Sequence, residues 1–285
     1  MKRISMLPNL LTLANAGCGL LAISKAVDAL AAGDDAQRFE RLFEFGCWLI
    51  LIAGVLDALD GRIARLTDSF SDFGAQLDSF ADCITFGVAP AMLAKVLLEQ
   101  HDVVHPRVHF LAAAAFTLMA VLRLARFNLE TSDDEESHEE FSGLPSPAAA
   151  GTVIVLLLMF LSVSGAIEVS DGRTTPVGKG MEFLPLWLKS GLLNVLLPTI
   201  LVALPLLGLL MVSRVRYSHA AALLFRSNAR FPALVKVVFV AFALYLAPVP
   251  VLFLAAVVYV GHGLVRAWLA RGSGGEDSDA GREAA

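Results

Sequence analysis

The sequence predicts an all-α protein, a polytopic membrane helix bundle of about eight transmembrane helices. The chain has 285 residues, of which 56% are hydrophobic and only 17% charged, and its mean hydropathy is +0.68. Soluble domains are usually about 45 to 50% apolar, so this composition is typical of an integral membrane protein. Several apolar stretches also reach the length of about 17 to 25 residues that a helix needs to cross roughly 30 Å of hydrocarbon.

The apolar stretches can be laid out in order as eight helices. They cover residues 8–27, 42–62, 76–98, 108–127, 146–169, 190–212, 231–247 and 249–269. The first follows a short basic start and continues without an A-x-A cleavage signal, so we interpret it as a retained helix and not a signal peptide. The third begins with charged residues, and the seventh ends at the turn-forming Pro248-Val-Pro250. We expect one membrane catalytic domain over residues 1–271 and a disordered cytoplasmic tail over residues 272–285.

Basic residues are concentrated on one side of this layout. With an even number of spans both termini share a side, and most Lys and Arg residues outside the spans lie there. Because cytoplasmic loops carry an excess of Lys and Arg, we expect the termini and the connection between the second and third helices to face the cytoplasm. An acidic loop over residues 129–141 and the tail account for much of the net charge of −5. That charge is therefore no guide to the substrate, and no nucleic-acid partner is indicated.

Four aspartates lie within or beside the apolar runs of the second and third helices. One Asp at the centre of a membrane helix costs about 2.5 to 3.5 kcal/mol on insertion scales, so a cation must neutralise them. Asp57 and Asp60 are three residues apart, and Asp78 and Asp82 are four apart, so each pair projects from one helix face. Two such faces in opposition form an oxygen-rich site of the kind that Mg²⁺ or Mn²⁺ prefers.

Two other roles for the aspartates are open. They could form intramembrane salt bridges with Arg62 and Arg65, although two arginines cannot neutralise four carboxylates. They could also belong to a divalent-cation transporter, which predicts polar residues at matching depth in several helices. The aspartate cluster is instead confined to two helices and is accompanied by Gly and Arg residues that a transporter would not need.

The residues around the aspartates indicate phosphoryl transfer. A short polar connection makes the second and third helices antiparallel neighbours, so their aspartate faces can meet at the cytoplasmic end. Gly61 and Gly74 lack side chains where the backbone must approach a ligand, and Arg65 offers bidentate donors to a phosphate. Two metal ions can bridge a pyrophosphate while a spare carboxylate accepts a proton from a hydroxyl nucleophile.

The spacing of these residues resembles the signature of a known family. At every defining position, Asp57-x-x-Asp60-Gly61-x-x-Ala64-Arg65-x8-Gly74-x3-Asp78-x3-Asp82 is similar to the motif of the CDP-alcohol phosphatidyltransferases. The resemblance implies that family's fold, two Mg²⁺ or Mn²⁺ ions held by the four aspartates, and Asp82 as the general base. It also implies a binding site for the CDP-lipid formed by Gly61, Arg65, Gly74, Ser71, Asn9 and Thr12.

Six further segments, in the same order, resemble those of the membrane-bound bacterial phosphatidylserine synthases. They begin at Leu7, Asp72, Phe86, Arg123, Phe141 and Met211. This resemblance implies transfer of the phosphatidyl group from CDP-diacylglycerol to L-serine, with release of CMP, in the bacterial cytoplasmic membrane among membrane lipids, and it suggests a homodimer. The eight-residue signature is shared by enzymes with other acceptors, so glycerol 3-phosphate, an inositol phosphate and choline stay open.

Two arginines near the cytoplasmic end of the fourth helix are candidates for binding the acceptor. Arg123 and Arg126 are three residues apart and could hold the carboxylate of an amino acid, with Asn128 beside them. The alternative is that the two arginines only anchor the helix, because the cytoplasmic ends of membrane helices carry an excess of positive charge. Both explanations fit the sequence equally well.

Overall fold

The computed structural model describes residues 6–33, 35–66, 72–133, 141–170, 181, 184–213, 215–217 and 230–273. Almost all of these residues are helical, so the predicted all-α membrane bundle is confirmed. The helices are α1 (Met6–Leu30), α2 (Ala36–Leu66), α3 (Asp72–Asp82), α4 (Ala89–Gln100), α5 (Pro106–Asp133), α6 (Ser146–Ser170), α7 (Leu186–Val212), α8 (Arg230–Leu246) and α9 (Pro248–Ser273). A π-helical turn, Cys83–Val88, joins α3 to α4.

Within the described residues, seven helical stretches are long and apolar enough to cross a membrane. One of them, Phe73–Gln100, combines α3, the π-helical turn and α4, while α8 contributes the shorter apolar stretch Val237–Leu246. Each of the eight predicted stretches therefore corresponds to a helix. Most of the helices run past the predicted ends, because hydropathy marks only the part inside the hydrocarbon and backbone hydrogen bonding continues beyond it.

The structure gives new boundaries to the predicted acidic loop. The α5 helix continues to Asp133, so the first residues of the stretch expected as a loop over 129–141 are helical. Residues 134–140 lie outside the described part of the chain, as do residues 274–285 of the predicted tail.

Small side chains on α1 allow it to pack closely against α2 and against the third span. The buried positions recur every three or four residues and are Pro8, Thr12, Asn15, Gly19, Ala22, Ala26 and Ala29. A Cβ atom at Gly19 would lie 2.6 Å from the Oγ1 atom of Thr85. Close helix approach of this kind is typical of membrane interfaces that are lined by small residues.

The π-helical turn lies where a proline interrupts the third span. Pro90 has no N–H to donate, and its ring would clash with the carbonyl group four residues earlier in a regular α-helix. The wider turn immediately before it avoids that clash. As a result Thr85 and Phe86 are buried, and Asp82 stands at the residue where the helix changes its pitch.

Two short strands join the start of α6 to the end of α7. β1 (Phe141–Ser142) pairs antiparallel with β2 (Arg216–Tyr217), with Phe141 opposite Tyr217. Beyond the strands, the backbone N–H of Gly143 donates to the carbonyl oxygen of Val215 at 2.9 Å, and that of Leu144 donates to Leu210 at 3.0 Å. We call residues 141–144 and 215–217 the β-clip. Two of the family-like segments, those beginning at Phe141 and Met211, supply its two sides.

The α6 helix lies at the centre of the bundle and α9 at its periphery. In the apolar window of α6, 78% of the residues are buried, whereas in that of α9 only 11% are. α6 contacts α2, α4, α7 and α9. Large apolar side chains on the outer helices, such as Phe239 and Trp268, are exposed at the surface that lipid tails would cover.

Candidate active site

Three of the predicted aspartates converge at one end of the bundle. Asp57 and Asp60 lie near the end of α2, and Asp78 lies on α3. One carboxylate oxygen from each lies within 4.8 Å of those of the other two. Asp60 is 6% exposed, and the other two are partly buried. The two helices therefore face each other through their carboxylates, as the short connection between them predicted.

Asp82 lies beside this group of three. It follows Asp78 by about one helical turn, is within hydrogen-bonding reach of Asp57, and is close enough to Asp60 and Asp78 to interact with both electrostatically. The Oδ1 atoms of Asp78 and Asp82 are buried and make no hydrogen bond among the described residues. Burial of an unpaired carboxylate oxygen is costly, and hard divalent cations are the ligands that such oxygens bind best. The donor set therefore fits Mg²⁺ or Mn²⁺.

The hydroxyl of Thr12 orients one of the carboxylates. It donates to the Oδ2 atom of Asp60 at 3.1 Å, and the carbonyl oxygen of Pro8 lies at the same distance. The sequence predicted Thr12 as part of the nucleotide pocket, and the structure places it as a hydrogen-bond partner of the aspartate cluster. Asn9 lies about one turn before Thr12 and is partly exposed. α1 thus reaches the candidate site through its first turns.

Asn15 is a buried polar residue near Thr12 that the sequence analysis did not single out. It is fully buried on the packed face of α1, one turn deeper than Thr12. Its backbone carbonyl accepts a hydrogen bond of 3.1 Å from the hydroxyl of Thr85, but both atoms of its side-chain amide have no partner among the described residues. The position of an amide in a stripe of small buried residues was the available signal, because a buried polar group needs a partner.

Arg123 faces the aspartate cluster from α5. Its Nη1 atom donates to the Oγ atom of Ser146, the first residue of α6, at 2.7 Å. Its Nε atom is buried and without a partner in the described part of the chain. Asp82 and Tyr259 are both close enough to interact with the guanidinium group electrostatically. Arg123 therefore adds a guanidinium group to the polar site, with two neighbours, Ser146 and Tyr259, that the sequence analysis did not nominate.

Asn128 and Arg126 have different surroundings from Arg123. The Nδ2 atom of Asn128 donates to the Oγ atom of Ser79 at 3.0 Å, which links α5 to α3 beside Asp78. Both of these side chains are on the exposed side of the site. Arg126 is partly buried and also makes interactions of its own. Of the three residues predicted to bind the acceptor, Arg123 is the one that faces the aspartates with an unpaired donor.

The remaining predicted contacts for the CDP-lipid are partly described. Gly61 is exposed, and a Cβ atom there would meet nothing within 4 Å, so a ligand can approach this part of the backbone. Gly74 is partly buried near the start of α3. Arg65 lies in the last turn of α2, but its side chain is outside the described part of the structure, as is the whole of Ser71.

Comparisons with known proteins show the family to which this chain belongs. A model of the CDP-alcohol phosphatidyltransferase family matches residues 5–177. Proteins named CDP-diacylglycerol–serine O-phosphatidyltransferase are similar over shorter or longer parts of the chain. One from Helicobacter pylori is 35% identical over 54% of this chain and 58% of its own length. Its counterpart from strain J99 is 30% identical over 74% of this chain and 71% of its own length. One from Bacillus subtilis is 33% identical over 58% of this chain and 82% of its own length.

Proposed function

We propose that this chain, which belongs to the CDP-alcohol phosphatidyltransferase family, transfers the phosphatidyl group of CDP-diacylglycerol to the hydroxyl of L-serine, giving phosphatidylserine and CMP. The observation that carries this proposal is the meeting of four carboxylates at one end of an apolar bundle, with Arg123 beside them. The names of the similar proteins support serine as the acceptor.

The four aspartates would hold two divalent cations, Mg²⁺ or Mn²⁺. When bound, the ions would neutralise the charge of the two phosphates and stabilise CMP as it leaves. Thr12 keeps the carboxylate of Asp60 turned toward the cluster through its hydrogen bond. The open space beside Gly61 leaves room for the CDP group, and Arg65 at the end of the same helix would bind a phosphate.

Asp82 would act as the general base. Its Oδ1 atom is buried and makes no hydrogen bond among the described residues. The oxygen of this carboxylate that is not bound to a cation would accept the proton of the serine hydroxyl. As that proton moves to Asp82, the serine oxygen forms a bond to the lipid-side phosphorus and the bond from this phosphorus to the oxygen of CMP breaks. We propose a single in-line displacement without a covalent intermediate.

Arg123 would bind the carboxylate of serine. Its Nε–H is an unused donor in a buried place, and hydrogen bonds between a guanidinium group and a carboxylate are among the stronger ones in proteins. Because Asp82 is close to Arg123, a serine bound to Arg123 through its carboxylate would have its hydroxyl near the base. Arg126 could add positive charge, while Asn128 would support the position of α3 through Ser79.

The site would face the cytoplasm. The seven apolar helices support an integral membrane protein. With the shorter apolar stretch of α8 as an eighth span, both termini would lie on one side, and the prevalence of Lys and Arg on that side supports the orientation. The lipid tails of CDP-diacylglycerol would then stay in the bilayer, while CDP would reach the aspartates from the aqueous side. In a bacterium this would place the protein in the cytoplasmic membrane.

A CMP-release assay tests the proposal. Purified protein in detergent is given CDP-diacylglycerol and Mg²⁺ with L-serine, glycerol 3-phosphate, an inositol phosphate or choline. We expect CMP release with serine and formation of phosphatidylserine. Release of CMP with one of the other acceptors, and not with serine, would refute the assignment of the acceptor.

Two perturbations test the role of the aspartates. Chelation of divalent cations should stop turnover reversibly, and activity that survives exhaustive chelation would contradict the metal site. Asp82→Asn should abolish turnover while much of the binding of CDP-diacylglycerol is retained. Asp28→Asn is a matched control, because Asp28 pairs with Lys25 near the other end of α1. Wild-type turnover in Asp82→Asn would remove Asp82 from the role of base.

A further inference from the structure

We infer, on the basis of the proposed transfer to serine, that Tyr217 and Tyr259 complete a subsite around Arg123 that binds the carboxylate of the acceptor. Both tyrosines lie outside residues 5–177, the part of the chain that the family model matches. The eight-residue signature lies inside the matched part and is shared by enzymes with different acceptors. Residues outside the matched part are therefore suitable for selecting an amino acid as the acceptor.

Tyr217 has a buried hydroxyl with no hydrogen-bond partner among the described residues. The side chain is 1% exposed. A buried hydroxyl without a partner is unfavourable, so its position indicates that a ligand supplies the partner. Burial raises the pKa of the Tyr217 phenol, and so does the neighbouring Tyr259. The phenol therefore keeps its proton and can donate it to an anionic group.

The β-clip and α9 hold the ring of Tyr217 in place. Tyr217 lies in β2 opposite Phe141, and its ring packs so closely on Gly263 that no Cβ atom fits there. The centroids of the Tyr217 and Tyr259 rings are 5.8 Å apart. Tyr259 and Gly263 are four residues apart on α9 and so lie on one helix face. Both tyrosines thus belong to one contact between the β-clip and α9.

The same contact continues to Arg123. Tyr259 is close enough to the guanidinium group to interact with it electrostatically, and Ser146, which accepts a hydrogen bond from Arg123, follows the β-clip directly in sequence. Asp82 is also close enough to Arg123 to interact with it electrostatically. The guanidinium group thus has the proposed base and Tyr259 as neighbours, and the ring of Tyr217 adjoins that of Tyr259. An amino acid whose carboxylate binds Arg123 and a tyrosine hydroxyl would present its own hydroxyl to Asp82.

Three tyrosine-to-phenylalanine variants test this inference. The chain has three tyrosines, and Tyr245, which is 84% exposed on α8, provides the control. We expect Tyr217→Phe and Tyr259→Phe to raise the KM for L-serine about tenfold, the loss typical of one hydrogen bond to a charged group, and to leave the KM for CDP-diacylglycerol unchanged. Tyr245→Phe should leave both values unchanged.

Thermal unfolding in detergent separates ligand binding from a structural role. Because the hydroxyl of Tyr217 has no described protein partner, Tyr217→Phe should melt at the wild-type temperature or above it. A large loss of stability in Tyr217→Phe would show that the hydroxyl has a structural partner and would contradict the inference. An unchanged KM for L-serine in both Tyr217→Phe and Tyr259→Phe would overturn it directly.

Substrate analogues identify the group that is bound. L-Serinamide keeps the hydroxyl but lacks the carboxylate, so the wild type and Tyr217→Phe should use it equally poorly. If Tyr217→Phe instead weakens turnover of glycerol 3-phosphate, the subsite binds a phosphate, and the inference is wrong. A wild type that releases no CMP with serine refutes the proposed function itself. A wild type that is active with serine, together with unchanged variants, refutes only the role of the tyrosines.

Discussion

The close approach of α1 to the third span predicts that Gly19→Ala damages both stability and turnover. A Cβ atom at residue 19 would lie 2.6 Å from Oγ1 and 2.9 Å from Cα of Thr85, whereas ordinary contacts begin at 3.4 Å. The Cα atom belongs to the backbone and cannot rotate away. The two helices must therefore separate by about 0.5 Å, and overpacking of this kind costs about 1 to 3 kcal/mol.

The same separation would reach the candidate site. Thr85 donates a hydrogen bond to the carbonyl oxygen of Asn15, and Thr12 on the same face of α1 donates to Asp60. A shift of α1 would lengthen both bonds and change the position of the carboxylate. Because misplacement by about 1 Å can cost about 100-fold in rate, we expect the smaller shift in Gly19→Ala to lower kcat roughly tenfold.

Gly17→Ala is the matched control for this prediction. Gly17 is in the same helix, it is exposed, and a Cβ atom there would meet nothing within 4 Å. Alanine at this position should raise helix stability by up to about 1 kcal/mol. Thermal unfolding in detergent and CMP release would be measured for both variants. Equal melting temperatures and equal rates for Gly17→Ala and Gly19→Ala would refute the tight contact between the helices.

Three other substitutions have outcomes that follow from single contacts. Thr12→Val removes the donor to Asp60, so the Mg²⁺ concentration for half-maximal activity should rise about tenfold, and an unchanged Mg²⁺ titration would contradict the orienting role of Thr12. Gly143 has a φ of +89°, and the carbonyl oxygen of Met211 occupies the place where a Cβ atom would lie. Gly143→Ala should therefore lower the free energy of unfolding by at least about 2 kcal/mol, which a lower melting temperature would show. Ser79→Ala removes the exposed hydrogen bond with Asn128. It should lower the free energy of unfolding by less than about 1 kcal/mol and change the rate of CMP release less than about twofold.

The helices and the aspartate cluster could be predicted because each depends on a local pattern. A run of apolar residues long enough to cross a bilayer defines each span, and spacings of three and four residues place each pair of aspartates on one face. The short connection between α2 and α3 then makes them antiparallel neighbours. These conditions are independent of the rest of the fold, so the meeting of Asp57, Asp60 and Asp78 followed from residues close in sequence.

The π-helical turn and the β-clip could not be predicted in the same way. Pro90 indicates an irregular helix, but the form of that irregularity depends on packing against α1. Each strand of the β-clip has two residues, and its partner lies more than 70 residues away in the sequence. No periodic pattern can identify so short a strand.

The sequence did not point to Asn15 or Tyr217, because an amide or a phenol is common in proteins and does not by itself indicate a functional site. Asn15 stands in an apolar segment, and Tyr217 stands between Arg216 and Ser218, and in either place an amide or a phenol usually finds a hydrogen-bond partner. Their side-chain polar atoms lack one in the described part of the structure. This becomes visible only when the helices around them are in place.

The β-clip also constrains how the chain can be recombined with its relatives. One strand lies within the part that the family model matches, and the other lies beyond it. A hybrid that joins the first half of this protein to the second half of a relative would therefore have to match backbone pairing across the junction, together with the fit of an aromatic ring on a glycine. Exchanging residues 141–146, 211–217 and 259–263 as one unit keeps these partners together. On the proposed function and the inferred role of the tyrosines, such grafts should change the preferred alcohol without altering the aspartates.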